Sequence, residues 1–119
     1  MNKPTKIIDS YGDVRYYLNG KVHRDDGPAV EGSDGYKAWY INGKLHRTDG
    51  PAIEHSDGSK EWWVNGELHR TDGPAIDDSN GTKEWWIDDE KVTLENYQKY
   101  FAEYQDLVNQ FLVYQALNE

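Results

Sequence analysis

The chain has 119 residues, a formal net charge of −9 and no cysteine. That length suits one domain with a modest core; the missing cysteines exclude disulfides and thiolate–zinc sites and point to a reducing compartment. The acidic balance repels phosphate backbones and anionic lipid, which sets nucleic acid and membrane surfaces aside as partners.

Taken in chain order, Met1 to Ser10 lacks the apolar centre of a signal peptide. No later stretch approaches the ~18–20 apolar residues of a membrane span, so the expectation is a soluble, cytoplasmic protein. A repeat then begins. His23-Arg24-Asp25-Asp26-Gly27-Pro28-Ala29 recurs at His46–Ala52 and again at His69–Ala75, a period of 23 residues. Ahead of each copy stands an aromatic pair, an aliphatic residue and Asn-Gly: Tyr16-Tyr17-Leu18-Asn19-Gly20, Trp39-Tyr40-Ile41-Asn42-Gly43 and Trp62-Trp63-Val64-Asn65-Gly66.

Asn-Gly between aromatic or β-branched runs signals a hairpin, because both residues tolerate the positive φ of a type I′ turn. A second turn falls at Asp34-Gly35, Asp57-Gly58 and Asn80-Gly81, so each unit supplies two strands. Asp-Gly-Pro interrupts the later strand, where proline removes a donor and glycine permits a bend; this reads as a bulge or kink. Two-residue hairpin geometry pairs Val64 with Glu67, Trp63 with Leu68 and Trp62 with His69. Stacked units then carry two aromatic ladders, Tyr16/Trp39/Trp62/Trp85 on one face and Tyr17/Tyr40/Trp63/Trp86 on the other.

Full repeats occupy 12–34, 35–57 and 58–80. A half repeat follows at 81–92, where Trp85-Trp86-Ile87 is succeeded by Asp88-Asp89 in place of Asn-Gly. Six acids between Asp77 and Glu90 (Asp77, Asp78, Glu84, Asp88, Asp89, Glu90) are opposed within that segment only by Lys83. They read either as an acidic cap that blunts an edge strand or, together with Trp85 and Trp86, as a docking patch for a protein with a basic surface.

From Leu94 onward there is no glycine or proline, and Leu94, Tyr97, Phe101, Tyr104, Val108 and Phe111 recur at helical spacing, widened by Tyr100, Leu107 and Tyr114. The pattern predicts a helix over 93–118 with Thr93 as N-cap. About 24 helical residues span roughly 36 Å, close to the roughly 34 Å of seven strands. The expectation is a helix lying across the sheet and covering one ladder; a homodimer through residues 94–117 is the rival placement. The fold class is mainly β with one C-terminal helix: a single-layer, twisted antiparallel meander of hairpin repeats, one face covered by the helix, in one domain of 1–119.

The unit Trp-Val-Asn-Gly-Glu-Leu-His, with a glycine soon after and an Asp/Asn-Gly turn before the next unit, resembles a MORN repeat. The resemblance covers residues 12–87 and rests on the 23-residue period and the Trp-x-Asn-Gly-x-x-His core. At His-Arg-x-Asp-Gly-Pro-Ala the chain departs from the usual His-Gly-x-Gly; this longer form is similar to repeats in phage and giant-virus proteins. It implies a scaffold or binding surface with no activity of its own, and lipid recognition is one role associated with the family.

Stacking holds His23, His46 and His69 roughly 10 Å apart, too far to share a metal whose ligands lie about 2 Å from one point. His23, Arg24, Asp26 and Gly27, with His46, Arg47, Asp49 and Gly50, and His69, Arg70, Asp72 and Gly73, are therefore read as braces of the bulge, the arginines bonded to the aspartates or to turn carbonyls. His55 has no counterpart and is placed facing solvent at a turn. Catalysis needs one unique constellation, which a ladder of equivalents does not offer, and no cofactor is implied. The leading expectation is a non-enzymatic protein-binding module, in the setting of a phage-encoded inhibitor of a host protein such as a defence nuclease, acting in the host cytoplasm. An acidic nucleic-acid mimic, a self-assembling structural protein and a lipid-binding MORN-type protein are the alternatives.

Overall fold

The computed structural model describes residues 3–118; Met1, Asn2 and Glu119, which the single-domain assignment of 1–119 includes, lie outside the described residues. The fold is mainly β, an antiparallel meander of hairpin repeats ending in a helical segment. It forms a slab of 47 × 30 × 19 Å.

The Asn-Gly corners shape the hairpins. Asn19, Asn42 and Asn65 have φ of 50 to 52° and the glycines after them 77 to 80°, the two positive values of a type I′ turn. Trp63 faces Leu68 and Val64 faces Glu67, while the His69 amide donates to the Trp62 carbonyl at 3.1 Å, so the pairing follows the hairpin rule. Asp88 and Asp89 adopt φ of 47 and 66° and keep the same turn without a glycine.

What the period does not reveal is how the later strand is interrupted. The Trp39 amide donates to the Ala52 carbonyl at 2.8 Å, and the Trp39 carbonyl accepts from the His46 amide at 3.0 Å. Both His46 and Ala52 thus bond one residue, and Arg47–Pro51 loop out between them as a large bulge. Tyr16 does the same with His23 and Ala29, and Trp62 with His69 and Ala75. Each strand therefore divides at its aromatic residue. Its first half joins a nine-stranded sheet, and in later units its second half closes a separate hairpin, such as Tyr40–Ile41 with Lys44–Leu45. The expected two long strands per unit are instead short segments joined through the bulge.

The bulge glycines serve close approach, not the bend. A Cβ on Gly27, Gly50 or Gly73 would lie 3.0, 2.9 or 2.7 Å from the Cζ of Arg24, Arg47 or Arg70, so only glycine lets the guanidinium lie flat on the loop.

The C-terminal segment also differs from the expected long helix. It forms a single turn, α1 (Gln98–Phe101), and a 13-residue helix, α2 (Gln105–Leu117). Tyr104, at φ −126° and ψ 50°, interrupts them, and Thr93 caps neither helix; its amide donates to Asn96 Oδ1 at 2.7 Å in the turn that precedes α1. A straight helix would present Leu94 and Phe101 to the sheet, but both are exposed. The break turns Tyr100, Leu107, Val108 and Phe111 onto Trp85, Ile87 and Val92, and these form one buried cluster. The helix therefore covers its face of the sheet at the last unit and reaches back only to the third bulge, where Gln110 Nε2 donates to the Asp72 carbonyl at 3.4 Å; it is too short to lie across all of them. No helix among the described residues is long and apolar enough to cross a membrane.

Candidate functional site

The bulges line up along one face, and each returns an arginine over the aromatic residue it brackets. The guanidinium carbons of Arg24, Arg47 and Arg70 sit 4.1, 3.8 and 3.8 Å from the ring centres of Tyr16, Trp39 and Trp62. Arg47 Nε donates to Asp49 at 2.9 Å, and its Nη1 donates to the Pro51 carbonyl and to Glu54, both at 3.0 Å. Arg24 repeats this with Asp26, Pro28 and Glu31. Arg70 bonds Asp72 at 2.7 Å and the Pro74 carbonyl at 3.0 Å, but Asp77, which stands where Glu54 did, pairs with Lys83 at 2.8 Å instead. Burial alone would lower the Arg24 pKa, but the bond to Asp26 and the negative charges of Asp26 and Glu31 outweigh it and raise it.

The histidines join consecutive units. Nδ1 of His23, His46 and His69 accepts the amide of Asn42, Asn65 and Asp88 at 2.9, 3.0 and 3.0 Å. That nitrogen carries no proton while it accepts, which places the ring proton on Nε2; in His23 the Nε2 lies 3.1 Å from Asp25. Among the described residues no group of three or more His, Asp or Glu gathers around one point.

Open grooves separate successive bulges. One, of about 520 Å³, is lined by Arg24, Asp26, Trp39, His46, Arg47 and Asp49. The next, of about 440 Å³, is lined by the equivalents Arg47, Asp49, Trp62, His69, Arg70 and Asp72. Their rims are acidic: Asp26, Asp49 and Asp72 each hold an arginine with one oxygen yet remain 86, 84 and 82% exposed. Asp25, Thr48 and Thr71 share these rims and were not singled out by sequence; the only available signal was their place inside the interrupted strand.

The acidic end is less bare than its sequence suggests. Asp77 pairs with Lys83, Glu84 with Lys91 at 3.6 Å and Glu90 with Lys99, so Lys91 and Lys99 fold back onto a segment that Lys83 alone seemed to oppose. Asp89 accepts the Leu68 amide at 3.2 Å, whereas the Asp88 carboxylate gains no partner from His69, whose Nδ1 accepts the Asp88 amide. Asp78 has no ion pair among the described residues. Trp86 is half-buried, its Nε1 donating to Glu84. Trp85, expected in the docking patch, is only 3% exposed beneath α2, which removes it from any contact surface. His55 does not simply face water: its Nε2 lies 2.7 Å from Glu61 and its ring meets Tyr36 edge-on.

Comparison with family models, with curated proteins and with solved structures finds no match for this chain.

Proposed function

We propose that this chain is a non-enzymatic, MORN-like binding module whose bulge face receives a basic protein surface. The observation that carries the reading is the row of equivalent grooves, floored by arginine-clamped rings and rimmed by the exposed carboxylates of Asp26, Asp49 and Asp72. Asp88 and Asp89 lie outside that row: they end the line of hairpin corners, bonded to His69 and Leu68 as the Asn-Gly corners are bonded to the units before them. Asp77, Asp78, Glu84, Trp86 and Glu90 belong to the end of the array and supply a second acidic region there. Carboxylates in a repeating line steer a cationic partner and raise its association rate. The biological setting proposed with it is inhibition of a host protein such as a nuclease, on the strength of the similarity to phage repeats.

The test replaces Asp26, Asp49 and Asp72 together by Asn, which keeps an oxygen for each arginine and removes the charge. The expected result is loss of a partner captured from host lysate by the parent chain, with an unchanged melting temperature and a parent interaction that weakens steeply with salt. Capture that survives the triple substitution refutes the bulge face. Displacement of the partner by oligonucleotide would favour the nucleic-acid mimic, and sedimentation with anionic vesicles the lipid-binding role.

A further inference from the structure

The two edges of the main sheet are finished differently. At the C-terminal edge, the Lys83 amide is taken by the Tyr114 hydroxyl at 3.1 Å, and α2 lies over the neighbouring Trp85. At the N-terminal edge, the strand Thr5–Ile8 has only one neighbour among the described residues, Val14–Leu18.

The register shows which backbone groups this open edge presents. Lys6 faces Tyr16, yet the Tyr16 amide and carbonyl are both committed to the far side, to Ala29 and His23. Lys6 and Tyr16 are thus a non-hydrogen-bonded pair, and alternation makes Ile8 and Val14 another. The amide and carbonyl of Lys6 and of Ile8 point outward. Asp9 agrees with this phase, because its amide points inward to the Asp13 carbonyl at 3.0 Å. Beside these groups Ile7 and Ile8 are 51 and 59% exposed, and Tyr11 is 81% exposed.

We infer that this edge pairs antiparallel with the same edge of a second copy, with Ile7 on the twofold axis. Cross-strand residues must share a face, so the strand can meet itself only about a residue centre. Centred on Lys6, like charges stand opposite; centred on Ile8, the ladder would run into the turn that begins at Asp9 and Ser10. Centred on Ile7, Lys6 of each copy exchanges both backbone bonds with Ile8 of the other. Four hydrogen bonds form, Ile7 packs on Ile7, and Thr5 meets Asp9. Pro4 has no amide to extend the ladder. Charge favours the same edge: residues 3–22 hold Lys3, Lys6, Arg15 and Lys21 against Asp9 and Asp13, so two chains of net charge −9 repel least there. The lysine that blunts an edge against open-ended aggregation here leaves one closed register.

Cysteine is absent from the chain, which permits single-cysteine tests. A non-hydrogen-bonded pair brings its Cα atoms to about 4.5 Å, inside the range a disulfide spans. Ile7→Cys is expected to cross-link rapidly into a dimer under mild oxidation. Thr5→Cys, exposed on the same face but opposite Asp9, is expected to be at least about tenfold slower. Sedimentation of the cysteine-free chain should show mass rising toward the dimer with concentration. Ile8→Pro, which deletes an outward amide, should abolish that rise while leaving the melting temperature within a few degrees. A monomer at all concentrations, equal cross-linking from the two cysteine positions, or a dimer indifferent to Ile8→Pro would overturn the inference. The first bulge adjoins this strand, sharing a groove with Lys3 and Pro4, but none of these outcomes depends on the carboxylates of Asp26, Asp49 or Asp72, so the two readings fail separately.

Discussion

The repeats and the C-terminal cap solve one problem with different chemistry. Tyr16, Trp39 and Trp62 each need a lid, and an arginine from the same unit supplies it. Trp85 has no such arginine, because the fourth unit lacks the His-Arg block, and Phe111 and Tyr114 take that place with ring centres at 5.9 and 5.3 Å. Leu107, Val92 and Val108, the largest side chains that are fully buried, all belong to the cap. The repeats bury little beyond Ala29, Ala38, Ala52, Ala75, Ile53 and Leu68. A thin sheet can thus be held by directed bonds and cation–π stacks, whereas the place where the pattern stops requires an apolar core.

The largest break in that comparison is expected from Leu107→Ala. Emptying a fully buried leucine costs about 2–5 kcal/mol, and chemical denaturation should show the loss together with increased exposure of Trp85 fluorescence. Next comes Arg47→Ala, which removes a stack worth about 0.5–2 kcal/mol and a charged bond to the Pro51 carbonyl. The Arg47–Asp49 pair contributes less, since Asp49 is largely exposed. We expect a loss of about 1–3 kcal/mol by the same assay. Arg47→Lys should recover little of it, because lysine has no planar fork to lie on the ring and reach the carbonyl together.

A finer test is Gly50→Ala. The new Cβ would sit 2.9 Å from the Arg47 guanidinium, so the methyl displaces the clamp. Alone it should cost about 1–2 kcal/mol; combined with Arg47→Ala it should cost almost nothing more, a coupling that a double-mutant cycle measures. The smallest effect concerns the far turns. The Ser59 amide and hydroxyl, opposed by some desolvation and aided by the Ser79 hydroxyl and His55, hold the Asp57 carboxyl below its usual value. A group with a lowered folded-state pKa stabilises above the ordinary carboxylate range, and that stability is lost as pH falls through the lowered value. Asp57→Asn should therefore lower the melting temperature slightly at neutral pH and flatten its decline below about pH 4, the two chains converging in acid.

The hairpins were legible because their cause is local: Asn42-Gly43 needs only its own φ values, and the pairing of Trp63 with Leu68 follows from the turn. The bulge was legible as an interruption, but the role of Gly50 was not, since it depends on where the Arg47 side chain travels. The helix failed for a similar reason. No glycine or proline marks Tyr104, and spacing alone chose Leu94 and Phe101 over Tyr100, while packing on Trp85 and Val92 decided the reverse. At the acidic end, counting charges within a window missed Lys91 and Lys99, which arrive from outside it in sequence.

The histidine joints have a directional consequence. His23 is completed by Asn42, His46 by Asn65 and His69 by Asp88, each acceptor waiting for a donor that arrives 19 positions later. Every joint is the same, so a block of 23 residues could be excised from the middle, or an extra one spliced in, and both cut ends would meet the neighbour they already know. Reach is thereby separated from stability: the chain can act as a ruler whose number of graduations evolution sets without redesigning either end.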